Sequence, residues 1–283
     1  MVSSLCYLQM KTSVLTAMAF LVCNALIGQS FDVNQEATAL SYCEKKSNVI
    51  EKLKDVRPGK FSEFTPGIMT KISSSKKIVA LTFDACGGPT GSGFDGALIE
   101  FLKKEKIKAT LFVSGLWIEK NDSLFRQLCA EPLFEIENHG LSHRPCSISG
   151  ESRYGITGTE NGNDVFDEVE LNARQIEFYN KRKPQFYRPA AAVADEGCIS
   201  IAKELNEQII TYDVLSGDAA LCTEAVEIKK NILKKIRPGS IVIMHMNHPE
   251  RNGFEALVGV VPELKRQGYE FVKLEGHSLV GKK

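Results

Sequence analysis

The chain has 283 residues, 43% hydrophobic and 25% charged, with 35 basic residues balancing 35 acidic ones. That length suits one large α/β domain or two small ones with a sizeable core. The composition argues against disorder and coiled coil, and the zero net charge leaves no electrostatic footprint for nucleic acid or an anionic membrane.

The first patterned segment is "MKTSVLTAMAFLVCNALIGQS", starting at Met10. A lysine, an apolar run to Ile27 and small residues at Gly28 and Ser30 form a secretory signal pattern, so residues 1–30 are expected to be a signal peptide. The run from Val14 to Ile27 is short for a membrane span of about 20 residues. The expectation is therefore an exported protein, periplasmic or extracellular, tethered to the membrane only if the segment is not cleaved. Cleavage would remove Cys6 and Cys23 and leave Cys43, Cys86, Cys129, Cys146, Cys198 and Cys222. Export permits disulfides, and the six thiols allow 15 pairings, among which the sequence does not choose. No CxxC pair is present, which argues against a zinc knuckle.

Residues 31–75 read as a leader, helical at first and then loop-like. From residue 76 to 283, apolar strands alternate with amphipathic helices. "IVALTF" is a strand and "FDGALIEFLKKEKI" a helix with Ala97, Leu98, Phe101 and Leu102 on one face. "KATLFVSG" is a buried strand, "DSLFRQLCA" a short helix, and "LFEIENHG" a strand entering a loop. The polar, glycine-rich stretch at 147–163 is a surface loop, and "DVFDEVELNARQIEFYNK" is the longest helix. "QFYRPA", "EQIITYDV", "RPGSIVIMH" and "YEFVKL" supply further strands, separated by helices. This alternation predicts a parallel sheet with helical crossovers. The fold class is α/β, a distorted (β/α) barrel of about seven parallel strands, whose chemistry belongs at the C-terminal strand ends.

Several strands end in a chemically capable residue: Asp84, His139 with His143 four on, Arg188, Asp213 with Asp218 behind it, and His245. The two histidines of "NHGLSH" share a face if that segment is helical, close enough to share a metal ion. Each residue also has a bland reading. Asp84 could cap a loop or helix, Arg188 could be a structural ion-pair partner, and Asp213 a turn acid. Their occurrence together at separate strand ends favours one functional rim.

The set resembles the polysaccharide deacetylases, the NodB-homology carbohydrate esterases, from about Lys77 to Leu274. Five motifs occur in order. Thr82-Phe83-Asp84 begins the first. His139 and His143 form the second, with Gly140 in its Ser/Thr place. Arg188-Pro189 begins the third and Asp218 marks the fourth. Pro238-Gly239-Ser240 with Ile243-Met244-His245 forms the fifth. The resemblance implies a divalent metal, most often Zn2+, on His139 and His143, polarising an acetamide carbonyl and acidifying water. It implies Asp84 as general base and His245 as general acid. Arg188 would hold Asp84 ionised, and Asp218 would support His245, with Asp213 a second candidate for that role. The implied substrate is an N-acetylated polysaccharide such as peptidoglycan, with no stable protein partner.

The departures are equally specific. Ala85 stands where the family has a second, metal-ligating aspartate. Waters, Asp84 itself, Cys86 or the more remote Asp95 are the candidates to complete the shell, and Cys86 is also a candidate for a disulfide. Ala190 replaces a proline and Ala219 a tryptophan. Two alternatives therefore stand beside the deacetylase. One is a catalytically silent glycan-binding protein of the same fold; the other is a non-sugar amide hydrolase.

Overall fold

The computed structural model describes residues 35–282, so the expected signal segment 1–30 lies outside the described residues. The chain divides into two units, Met1–Lys45 and Lys46–Lys283, and the second carries the sheet and the candidate site. Among the described residues no helix is long and apolar enough to cross a membrane.

Ten strands form one curled, mixed sheet. They are β1 (Lys71–Ile72), β2 (Ile78–Ala85), β3 (Ala109–Val113), β4 (Phe134–Asn138), β5 (Phe186–Tyr187), β6 (Gln208–Ile209), β7 (Val214–Leu215), β8 (Ser240–His245), β9 (Glu270–Phe271) and β10 (Leu279–Val280). The order β8-β2-β3-β4-β5-β6 is parallel throughout. β7 pairs in parallel with the free side of β8, and β9 with the start of β2. The segment expected as one strand, "EQIITYDV", is thus interrupted. Its first part extends β5, and its last part returns to β8. Met69 wedges in at the break, donating to the Ile209 carbonyl at 2.9 Å and accepting from Thr211 N at 2.9 Å. Counting β6–β7 as one interrupted strand, β2, β3, β4, β5, β6–β7, β8 and β9 make a distorted barrel of seven parallel members. β1 and β10 are short antiparallel additions.

Crossover helices cover the outside: α2 (Gly96–Lys104), α3 (Gly115–Lys120), α4 (Asp122–Ala130), α5 (Gly162–Asn180), α6 (Glu196–Glu204), α7 (Ala225–Lys235) and α8 (Gly253–Arg266), with α1 (Gln35–Glu51) preceding the sheet. The longest is α5, as its periodicity predicts. Helix α3 was not expected. It is only six residues long, and its one local signal is Ser114, which caps it by accepting from Trp117 N.

Strand alternation sends the buried side chains of β2 to two sides of the sheet. Val79, Leu81, Phe83 and Ala85 of β2 join Leu111, Val113, Trp117 and Val260 in the core beneath the helices. Ala80, Phe112, Phe186 and Ile241 face the barrel interior. Because successive side chains point to opposite faces, Thr82 and Asp84 fall on the interior face. All of β2 is buried, which is why it reads as a continuous apolar run.

Candidate active site

Asp84 leaves the interior face of β2 at its C-terminal end, in register with His245 of β8 and Phe112 of β3. It is 3% exposed, and Arg188, fully buried just after β5, donates to its Oδ1 at 2.7 Å. The guanidinium is itself fixed on every side. It lies 4.0 Å above the Phe112 ring and donates to the carbonyls of Ile210 and Thr211. Burial pushes the Asp84 carboxyl up, but Arg188 and the nearby His139 and His245 outweigh it and hold it below its ordinary value.

His139 follows β4 directly. Its Nδ1 donates to the Arg188 carbonyl at 2.6 Å, which leaves Nε2 facing Asp84 Oδ2 and Cys86 Sγ, each at 3.8 Å. Burial depresses this imidazole, yet Asp84 and Cys86 together raise it above its usual range. The segment to His143 is a loop, as the strand-to-loop reading of "LFEIENHG" expects, so the two histidines do not meet on a helix face. Gly140 at φ 82° and His143 at φ 54° turn the chain back, bringing the two rings to 4.8 Å. The turn is clamped by Glu168 of α5, whose carboxylate accepts from Ser142 N and Arg144 N. A Cβ at position 140 would lie 2.4 Å from Glu168 Oε1, which accounts for glycine where the motif carries Ser or Thr. Burial raises Glu168 to about 7. No local pattern singles it out in the sequence; only the folded clamp does.

The first-motif departure has a geometric meaning. β2 continues through Ala85, paired with Val113, and Ala85 is wholly buried on the helix side. Cys86 is the next residue on the interior side. Its carbonyl accepts from Ser114 Oγ at 2.6 Å, and the loop beyond is stapled by Asn247 Nδ2 to the Gly91 carbonyl and Trp117 Nε1 to that of Gly93. The metal-ligating atoms of Cys86, His139 and His143 lie within 4.8 Å of one another. Burial opposes ionisation of Cys86, but His143, His139 and His245 bring its thiol well below the ordinary range.

Across the rim, His245 N donates to Asp218 Oδ2 at 2.7 Å, and its Nδ1 lies 3.2 Å from Asp218 Oδ1. Ser216 Oγ holds the same carboxylate at 2.8 Å. Burial lowers the His245 imidazole, but Asp218 and Cys86 raise it well above its usual value. Asp84, Arg188, His139, His143, His245 and Asp218 are thus brought to one rim.

Two candidates stand elsewhere. Asp213 accepts from Ser240 Oγ and Ile241 N, bracing the interrupted strand rather than His245. Asp95 caps α2 through Leu98 N at 2.9 Å and is no ligand. Of the cysteines, Cys146 and Cys198 form a disulfide, tying the chain after His143 to α6, while Cys86 is free. Beyond Arg188-Pro189, Ala191 and Ala192 adopt φ of 56° and 54°. That left-handed backbone costs an alanine of order 1 kcal/mol, and it lets Ala190 N and Val193 O reach Arg144 O and Cys146 N.

The donor set fits a zinc-like ion. Two imidazoles and a thiol converge, and His139 already gives its other ring N–H to a carbonyl, the outer-sphere arrangement of ligating histidines.

The Polysaccharide deacetylase family model matches residues 71–210. A peptidoglycan-N-acetylglucosamine deacetylase of Bacillus cereus is 27% identical over 212 residues, 74% of this chain and 92% of that protein. The peptidoglycan-N-acetylmuramic acid deacetylase PdaA of Bacillus subtilis is 23% identical over 206 residues, 72% of each. Among solved structures, a peptidoglycan N-acetylglucosamine deacetylase superposes with a TM-score of 0.64 at 26% identity, covering 74% of this chain and 91% of its own. A CE4 family pseudoenzyme of Bacillus anthracis, in a mutant with restored enzymatic activity, gives 0.63 at 25% identity and 82% of each chain. With the fold, the ordered motifs and these likenesses in agreement, residues 71–210 form a polysaccharide deacetylase domain.

Proposed function

We propose that the protein is an exported, metal-dependent deacetylase that hydrolyses N-acetyl groups on an envelope or extracellular glycan, with peptidoglycan the leading substrate class. The observation that carries this reading is the opposition of two polar pairs at one rim, Arg188–Asp84 and Asp218–His245, across the facing histidines. His139 and His143 would hold a divalent metal, most readily Zn2+, which supplies carbonyl polarisation and a more acidic water. Asp84, kept ionised by Arg188, takes the proton of the attacking water. His245, kept protonated by Asp218, gives a proton to the departing sugar amine. Arg188 and Asp218 act by orientation and charge and exchange no proton themselves. Relatives named as peptidoglycan deacetylases support the substrate class, and the Cys146–Cys198 disulfide supports an oxidising compartment.

A silent glycan-binding protein is the second reading, favoured by Ala85 and by the likeness to a pseudoenzyme. The two separate cleanly. The deacetylase releases acetate from N-acetylated peptidoglycan or N-acetylglucosamine oligosaccharides, contains metal by elemental analysis and loses both on chelation. The silent protein binds glycan and releases no acetate.

A further inference from the structure

We propose that Cys86 is the third protein ligand of the metal site, completing a Cys-His-His set that leaves one position open for water and substrate. This inference rests on the metal-dependent reading above and deepens it. β2 stays paired through Ala85↔Val113, so residues 84 and 86 share the interior face and residue 85 points away. Ala85 packs at 0% exposure among Val113, Trp117 and Phe83 beneath the helices. Position 85 is therefore turned to apolar core in this chain and, as alanine, offers no ligand atom. The side chain that reaches the histidines is Cys86, with Sγ 3.8 Å from His139 Nε2. Adjacent ligands of a tetrahedral zinc ion are about 3.5 Å apart, given metal–nitrogen and metal–sulfur lengths of about 2.0 and 2.3 Å. A spread of 4.8 Å closes onto an ion with a side-chain adjustment of about an ångström. The thiol is not diverted elsewhere: Cys86 is free, while Cys146 and Cys198 pair with each other. A ligand set with sulfur selects zinc or cobalt over magnesium, calcium or manganese.

The test is cobalt(II) substitution of the full chain, read by absorption and by competition with zinc. The wild type is expected to bind one cobalt ion per chain with an intense near-ultraviolet thiolate-to-cobalt band. Cys86→Ser should abolish the band and weaken binding by at least about 100-fold, since loss of outer-sphere partners alone weakens metal sites by about 10- to 100-fold. Cys86→Asp should bind without the band. The proposal is overturned, with the metal reading intact, if wild type binds cobalt without the band and Cys86→Ser binds within about three-fold of it. If no form binds zinc or cobalt, the metal-dependent reading fails first and this inference with it.

Discussion

Two clusters of buried carboxylates sit inside the same barrel, and they are built differently. At the lower cluster, Glu135 and Glu137 project inward from β4 at 1% and 0% exposure. Glu135 accepts from Thr110 Oγ1 and from the backbone N–H of Leu274 and Glu275. Glu137 accepts from the N–H of Gln185 and Phe186 and from Arg182, which also pairs with Glu275. Every oxygen there meets a fixed donor. At the rim, Asp84 has one oxygen on Arg188 while the other faces His139, and ring nitrogens and a sulfur converge with it. Burial raises all three carboxyls. It prevails at Glu135 and Glu137 and is overcome at Asp84 by Arg188 and the histidines. A buried acid therefore marks chemistry only where lone pairs converge on a common space. Where backbone donors saturate it, it marks a structural knot.

The two clusters should differ most in their effect on activity. Asp84→Asn should lower kcat/KM by about 10³-fold or more with metal content unchanged, because a positioned general base contributes about 10²–10⁴-fold. Acetate release beside elemental analysis measures both. If Asp84→Asn turns over normally, Asp84 belongs with the structural acids. His139→Ala should remove metal and activity together.

Stability gives the next largest effect. Arg188→Met leaves Asp84 buried and unpaired and should destabilise by about 3–5 kcal/mol in denaturant unfolding. The pH profile is subtler. As the proposed general acid, His245 has to be protonated, so activity is expected to fall as pH rises through its raised value. Asp218→Asn should move that alkaline limb to lower pH, and an unmoved limb would detach Asp218 from His245.

At the lower cluster the sign is set by Glu137, whose value in the folded protein lies well above the ordinary 4.5. The folded state holds its proton longer than the unfolded one, so this contribution is complete below pH 4.5 and fades as pH rises through the raised value. Glu137→Gln should flatten that part of the stability curve and leave kcat/KM within about two-fold, because the residue is not in the acid–base pair. The smallest effect belongs to Asp213→Asn, which loses bonds to Ser240 and Ile241. About 1 kcal/mol of stability and no loss of turnover are expected; a slowed enzyme would return Asp213 to the His245 dyad.

Most of the frame was legible in one dimension. The strand–helix alternation predicts the barrel, and β2, β3, β4 and β8 fall where the apolar runs place them, with Asp84, His139 and His245 at the ends of β2, β4 and β8. The interrupted strand at 208–215 was not legible, because its break depends on Met69, about 140 positions away in sequence. Helix α3 was too short to show a period. The clamp by Glu168 had no local signature, since a helix glutamate reads as solvated until its neighbours are known.

The sequence by itself determined the order and chemical identity of the rim: an acid, two histidines, an arginine, and a second acid–histidine pair, each at a strand end. Those are properties of residue type and spacing, and they persist however the strands pair. Tertiary structure decided which of two acids supports His245, which two of the cysteines form the Cys146–Cys198 disulfide, and that Cys86 rather than position 85 faces the histidines. The physical reason is the period of a strand. A single residue of register exchanges core for site, and only the pairing of β2 with β3 sets where β2 ends.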